Sequence, residues 1–283
     1  MKRILVPTDF TESAETALYY AIEMAKKVNA EIILFHAYTV FDDASSSLEN
    51  LRRKEKNKIE RRLESLTVKI EHSGGINYKV CSAEGPVVKS ILNAVKEFKA
   101  DCIIMGTLGE NSLANLVFGS VTAKIIDKAK CPVISVPESA SCSTIKRIVY
   151  ATDYNSSDIT TLNKVVEIAR PYNAQINILH IAYEKESANE EMNLMRKFME
   201  EVNEQLDYNN FSFQMLAAAN IEEKMKEYIQ SESADLFAMS AHHKDLWDKL
   251  ADNSLTNKMA YKSSVPLLVF HHNNRSAVKL FTA

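Results

Sequence analysis

The sequence predicts an α/β protein in which one domain, an open parallel sheet covered by helices on both faces, is built twice in tandem. Three observations predict it. Short apolar runs alternate with segments of helical period along the chain, as strands and crossover helices do in a parallel sheet. A domain-length stretch repeats: Lys2-Arg3-Ile4-Leu5-Val6-Pro7-Thr8-Asp9-Phe10 returns as Lys146-Arg147-Ile148-Val149-Tyr150-Ala151-Thr152-Asp153-Tyr154. All six glycines lie in the first 119 residues, so one copy carries a glycine pattern that the other lacks.

In the first copy, apolar runs predict strands near 3–7, 31–37, 77–82, 101–105 and 132–136, and helical periodicity predicts helices near 12–28, 47–72, 86–98 and 119–129. The second repeats the order, with strands near 147–151, 175–181, 211–216, 235–239 and 266–270 and helices near 156–170, 186–206, 220–232 and 252–261. Asn29-Ala30-Glu31-Ile32-Ile33-Leu34-Phe35-His36 is matched by Asn173-Ala174-Gln175-Ile176-Asn177-Ile178-Leu179-His180, and Cys131-Pro132-Val133 by Val265-Pro266-Leu267. The small and polar stretch Pro137 to Thr144 is the expected joint, giving domains 1–140 and 145–283. The final strands, 132–136 and 266–270, are apolar sheet edges that two copies would hide by packing as an intramolecular pseudo-dimer. A further homodimer is left open.

Composition narrows the function. A 283-residue chain with 46% hydrophobic and 25% charged residues can bury two cores. A net charge of −3 without a basic block argues against a nucleic-acid surface, and no apolar run is long enough to span a membrane. The N-terminus turns polar too soon for a signal peptide, so the expected location is cytoplasmic. Cys81, Cys102, Cys131 and Cys142 show no C-x-x-C spacing and read as incidental or buried thiols.

The chemistry concentrates in Gly106-Thr107-Leu108-Gly109, nine residues, then Gly119-Ser120. The motif follows the strand Asp101 to Met105 and precedes the helix opening at Ser120-Val121-Thr122. Glycine lets backbone approach a ligand, and the first amides of a helix point at an anion, so the spacing is that of a phosphate-binding loop. Thr8-Asp9, Ala37-Tyr38 and Gly106 all follow predicted strands, which gathers them at the carboxyl edge where such sheets bind ligands.

These segments, the opening Ile4 to Phe10, Leu34-Phe35-His36-Ala37, Ile103-Ile104-Met105-Gly106 and Gly119-Ser120-Val121-Thr122, resemble the universal stress protein family in its tandem form. The resemblance covers nearly the whole chain. It implies five-stranded domains of strand order 3-2-1-4-5 and, with the glycine motif intact, binding of ATP or another adenine nucleotide. Carried over by position, it puts Pro7, Thr8 and Asp9 beside adenine and ribose, Ala37 at the adenine edge, and Met105 and Gly106 against the nucleoside. It implies that Gly109, Gly119, Ser120 and Val121 hold the phosphates through backbone amides, the Ser120 hydroxyl adding a donor. A Mg²⁺ ion would accompany the phosphates.

Each residue also has a plainer reading. Asp9 can cap the helix that starts near Thr11, and its repeat Asp153 persists in a half without the glycine loop. His36 and His180 sit at matching places in apolar strands and read as hydrogen-bonded core histidines rather than metal ligands. His242-His243 and His271-His272 read as solvated pairs, Arg52 to Lys58 as an exposed helix face, and Lys124 as an exposed lysine. In the second copy Ser240, His243, Asn253 and Ser254 stand at Gly106, Gly109, Gly119 and Ser120, so its nucleotide site is expected to be lost. The expected function is a stress-response protein that binds a nucleotide in its first domain and presents a state-dependent surface to an unidentified protein partner. Slow ATP hydrolysis, phosphotransfer, or a scaffold with a vestigial site are the alternatives, since no Walker loop or catalytic carboxylate pair is evident beyond Asp9.

Overall fold

A computed structural model describes residues 1–40, 48–107, 119–140, 144–184, 187–240 and 265–270. They divide into two compact units, the first built on residues up to Thr144 and the second beginning at Ile145 and including Leu267 to Phe270.

In the first unit, β1 (Arg3–Pro7), β2 (Glu31–Tyr38), β3 (Tyr78–Glu84), β4 (Cys102–Gly106) and β5 (Val133–Val136) pair in parallel in the order β3-β2-β1-β4-β5. The helices are α1 (Glu12–Val28), α2 (Leu48–Ser73), α3 (Val87–Phe98) and α4 (Ser120–Lys128). Ile4, Leu5 and Val6 of β1 and Ile32 to Leu34 of β2 are fully buried, as central strands covered on both faces require. Helix α1 is fixed at both ends by its sequence. The Thr11 hydroxyl caps the Ala14 amide, and Glu12 and Glu15 lie in the first turn, with Lys26 and Lys27 in the last. Asn29 then takes the left-handed conformation, φ 52°, which ends the helix.

The second unit repeats this plan with β6 (Arg147–Ala151), α5 (Ser156–Ala169), a 3₁₀ turn at Arg170–Tyr172, β7 (Gln175–Tyr183), α6 (Ala188–Gln205), β8 (Phe211–Ala218), α7 (Ile221–Ser231), β9 (Leu236–Ser240) and β10 (Leu267–Phe270). Its strands run parallel in the order β8-β7-β6-β9-β10. Each sheet therefore has the expected 3-2-1-4-5 order. The helix expected near 252–261 lies outside the described residues.

The repeated Arg and Asn acquire a physical reason: the Arg3 and Arg147 guanidinium groups donate to the carbonyls of Phe98 and Ser233. Asn173 ends the 3₁₀ turn in the left-handed region at φ 51°, the counterpart of Asn29. Asp101 Oδ2 accepts the backbone N–H groups of Lys2 and Arg3 at 2.6 and 2.9 Å, and Asp235 Oδ2 accepts those of Lys146 and Arg147 at 2.7 and 2.9 Å. In both units an aspartate opening the fourth strand anchors the first strand, a role that sequence reasoning missed.

Candidate functional site

The chain of the first unit runs β1 to β2 to β3 in one direction across the sheet and then returns to β4 and β5 on the other side of β1. The switch point therefore lies between the carboxyl ends of β1 and β4. Ile4 pairs with Cys102 and Leu5 with Ile103, and continuing that register brings Pro7 alongside Met105.

After β1 the backbone reverses sharply, and nearly every polar group of the turn is engaged. The Thr8 N–H donates to the Phe35 carbonyl at 2.9 Å, the Phe10 N–H donates to Thr8 Oγ1 at 3.0 Å, and His36 Nδ1 lies 2.7 Å from the Thr8 carbonyl oxygen. A carbonyl only accepts, so Nδ1 carries the proton. Phe10 is left-handed at φ 66°, unusual for an aromatic residue. Its ring packs against the His36 imidazole, tilted and 4.5 Å between centroids, and the Arg62 guanidinium of α2 lies 4.0 Å from the ring centre. Burial lowers the His36 pKa, opposed by the Thr8 bond and reinforced by Arg62. His36 is thus hydrogen-bonded but only half-buried, whereas its counterpart His180 is buried.

Asp9 is half-buried and does not itself cap α1. Its Oδ1 accepts from the Thr11 N–H at 3.1 Å and from the Thr11 hydroxyl at 2.6 Å, while Thr11 is the N-cap. The capping alternative therefore takes an indirect form, in which Asp9 orients the residue that caps.

Across the switch point, Gly106 closes β4. A Cβ there would lie 2.4 Å from Ser13 Oγ and 2.8 Å from both the carbonyl carbon and oxygen of Ser13. Packing of the α1 N-terminus thus already demands glycine at 106. From the Gly106 carbonyl a 2.9 Å bond runs to the Thr122 hydroxyl, and the Thr107 carbonyl accepts the Gly119 N–H at 2.6 Å. These two bonds dock the N-terminus of α4 against the end of β4. They also revise the expectation for Gly119, whose amide is already given to Thr107. The next amides, of Ser120 and Val121, have no acceptor within their own helix because first-turn amides never do.

Of the other expected site residues, Pro7 and Met105 are buried, Ala37 and Val121 are half-buried, and Ser120 is exposed. Ala37 pairs with Ala83, two positions beyond the Phe35 that holds Thr8. Gly109 lies outside the described residues, as do Cys142, His242, His243, Asn253, Ser254, His271 and His272. Among the described residues there is no group of three or more His, Cys, Asp or Glu able to hold a metal. The described cysteines are free, and burial pushes the Cys131 thiol up to about 11.

The second unit keeps the reversal and changes what lies beneath it. His180 Nδ1 lies 2.8 Å from the Thr152 carbonyl, the Tyr154 N–H donates to Thr152 Oγ1 at 2.9 Å, and Tyr154 is left-handed at φ 58°. However, Val6, Ala14 and Gly106 are replaced by Tyr150, Asp158 and Ser240, each at most 1% exposed. Asp158 accepts from the Tyr150 phenol at 3.0 Å and from the Thr152 hydroxyl at 2.7 Å. The Ser240 hydroxyl has no hydrogen-bond partner among the described residues. The Ser240 replacement was read from the sequence, whereas Tyr150 and Asp158 were not singled out, although both stand at repeat positions where an apolar residue became polar.

Comparison with known proteins agrees with this organisation. The sequence profile of the universal stress protein family matches residues 1–137 and again residues 144–271. A universal stress protein of Methanocaldococcus jannaschii is 30% identical over 139 residues, covering 48% of this chain and 81% of its own length. A second from the same organism is 29% identical over 156 residues, covering 48% and 94%. The crystal structure of a universal stress protein from Archaeoglobus fulgidus superposes with a TM-score of 0.74 at 18% identity, covering 96% of this chain and 97% of that one, a likeness of fold.

Proposed function

We propose, from the premise that this chain belongs to the universal stress protein family and carries two of its domains in tandem, that its first unit binds one adenine nucleotide, ATP foremost. In this reading the bound nucleotide sets the surface that the protein offers to a protein partner. The observation that carries it is the docking of α4: the Thr122–Gly106 and Gly119–Thr107 bonds hold a helix N-terminus at the sheet's switch point. A helix start at that place suits phosphate, with the Ser120 and Val121 amides and the exposed Ser120 hydroxyl as donors. Gly119 would let the chain pass close to the phosphates rather than donate to them. Pro7, Ala37 and Met105 would supply apolar surface to the base, and the Asp9 carboxylate, which only accepts, would suit the ribose hydroxyls. Gly109 and an accompanying Mg²⁺ belong to the same proposal, as does a cytoplasmic location.

Titration calorimetry of the full chain with ATP tests it. One site per chain is expected, and no binding, or two equivalent sites, would sink it. Gly119 has φ −62° and ψ 157°, open to any residue, so Gly119→Val probes side-chain bulk rather than backbone strain. Loss of ATP binding with the fold retained is expected. The matching change at Asn253 should leave affinity unaltered.

A further inference from the structure

The geometry points to His36 as a positioning residue that fixes the Thr8–Asp9 turn in the form a ligand would meet; the inference deepens the nucleotide reading above and rests on it. Strand β2 grips Thr8 from both sides. The Phe35 carbonyl takes the Thr8 N–H at 2.9 Å, and the next residue, His36, gives its Nδ1–H to the Thr8 carbonyl at 2.7 Å. Main-chain pairing alone explains the first bond, but only a side chain explains the second.

That second bond acts where the chain needs it most. Two residues on, Phe10 is left-handed, a conformation that persists in an aromatic residue only when its surroundings impose it. The His36 ring supplies part of that imposition directly, packing against Phe10 in a tilted arrangement at 4.5 Å, and the Arg62 guanidinium lies over the same ring. One imidazole therefore fixes the peptide before Asp9 with its nitrogen and packs its ring against the residue after Asp9. Asp9, between them, has little freedom, and its Oδ1 is further tied to Thr11.

His180 holds the matching turn in the second unit, with a 2.8 Å bond to the Thr152 carbonyl and a tilted ring contact at 4.4 Å with Tyr154. The two histidines share a structural part, and only the first unit's sequence carries the glycine pattern. His180 is thus an internal control that does not touch the proposed site, although removing it also costs the 3.0 Å contact of its Nε2 with Glu191.

The test uses the full chain and two readouts. An asparagine amide nitrogen can stand in for Nδ1, a glutamine amide stands in for Nε2, and leucine offers no donor. In calorimetry with ATP, His36→Asn should bind within about threefold of wild type. His36→Leu and His36→Gln should weaken binding about tenfold or more, whereas His180→Leu should leave it within about twofold. Equal affinity for wild type and His36→Leu, or an equal loss in His180→Leu, would overturn the inference. Amide hydrogen exchange at Thr8, Phe10 and Thr11 is read without nucleotide. Exchange should quicken in His36→Leu and His36→Gln and return to wild-type rates in His36→Asn, and unchanged rates would refute the positioning role. Failure of the wild type to bind ATP, with the exchange pattern as expected, would sink the nucleotide reading and leave the turn-fixing role standing.

Discussion

Replacing Gly106 by alanine should destabilise the first unit, and the structure sets the size of the effect. The new Cβ would lie 2.4 Å from Ser13 Oγ and 2.8 Å from the Ser13 carbonyl carbon and oxygen. Even with the hydroxyl turned aside, the backbone atoms belong to the first turn of α1, whose Ala14, Ala17, Leu18 and Ala21 are packed in the core. Moving them displaces a helix, and overpacking of this kind costs about 1–3 kcal/mol. The φ of Gly106 lies outside the left-handed region, so alanine adds no backbone strain and gains about 0.4–1 kcal/mol by restricting the unfolded chain. The net loss is about 1–2 kcal/mol, or a fall in Tm of roughly 3–8 °C for a domain of this size. Scanning calorimetry of the full chain reads it directly. Adding Ser13→Ala to the variant removes only the 2.4 Å contact, so partial recovery is expected. A Gly106→Ala protein melting within about 1 °C of wild type would refute the argument, as would full recovery in the double variant, which would mean that only the Ser13 hydroxyl was in the way.

Asp158→Ala should destabilise the second unit by about 2–4 kcal/mol in urea unfolding, because the buried Tyr150 and Thr152 hydroxyls both lose their acceptor. Tyr150→Phe, which removes one donor and keeps the packing, should cost less than half as much. The lowered His36 pKa means that the unfolded chain takes up this proton before the native one, so stability falls as pH drops below the ordinary value of 6.5. Asp9 and Glu55 favour the charged ring, whereas burial and Arg62 oppose it, and His36→Asn should flatten the difference in acid-side melting temperature between pH 7 and pH 5. Bound ATP should turn over negligibly in a phosphate-release assay, since amide donors stabilise bound phosphate without activating water. A sizeable rate lost in Asp9→Asn, with ATP still bound, would make the protein an enzyme.

Both sheets were legible in the sequence because buried parallel strands are continuous apolar runs, and Ile4 to Val6, Ile32 to Leu34 and Ile148 to Tyr150 are of that kind. Their ends were less legible. Strands β2 and β7 run on to Tyr38 and Tyr183, where pairing with β3 and β8 continues after the apolar pattern has faded. The site residues could be placed at strand ends, but their hydrogen bonds could not. Nothing local in Asp101 or Asp235 says that each receives two amides from a strand nearly a hundred residues earlier in the chain. Nor does Gly106 announce that Ser13 is what excludes a side chain, since that contact joins β4 to the start of α1. The glycine spacing pointed to a ligand, and the structure supplies a packing reason for one of its three members.

The three replacements in the second unit form a linked set. Ser240 introduces the Cβ that Gly106 lacks, and the residue matching Ser13, Ser157, is less buried than its counterpart, as expected if the start of α5 stands further from β9. Tyr150 and Asp158 bring bulk and polar pairing where Val6 and Ala14 bring little, and Asp158 then receives the Thr152 hydroxyl proton. In the first unit the Thr8 hydroxyl accepts the Phe10 amide and has no acceptor for its own hydrogen among the described residues. On the proposed reading, the second unit satisfies from within a donor that the first holds ready for a ligand oxygen. Thr8→Val, which keeps the shape and removes the hydroxyl, should then weaken ATP binding by about tenfold. Thr152→Val should leave ATP affinity unchanged while lowering the stability of the second unit. Equal effects on affinity, or none from Thr8→Val, would separate the Asp158 network from any bearing on ligand binding.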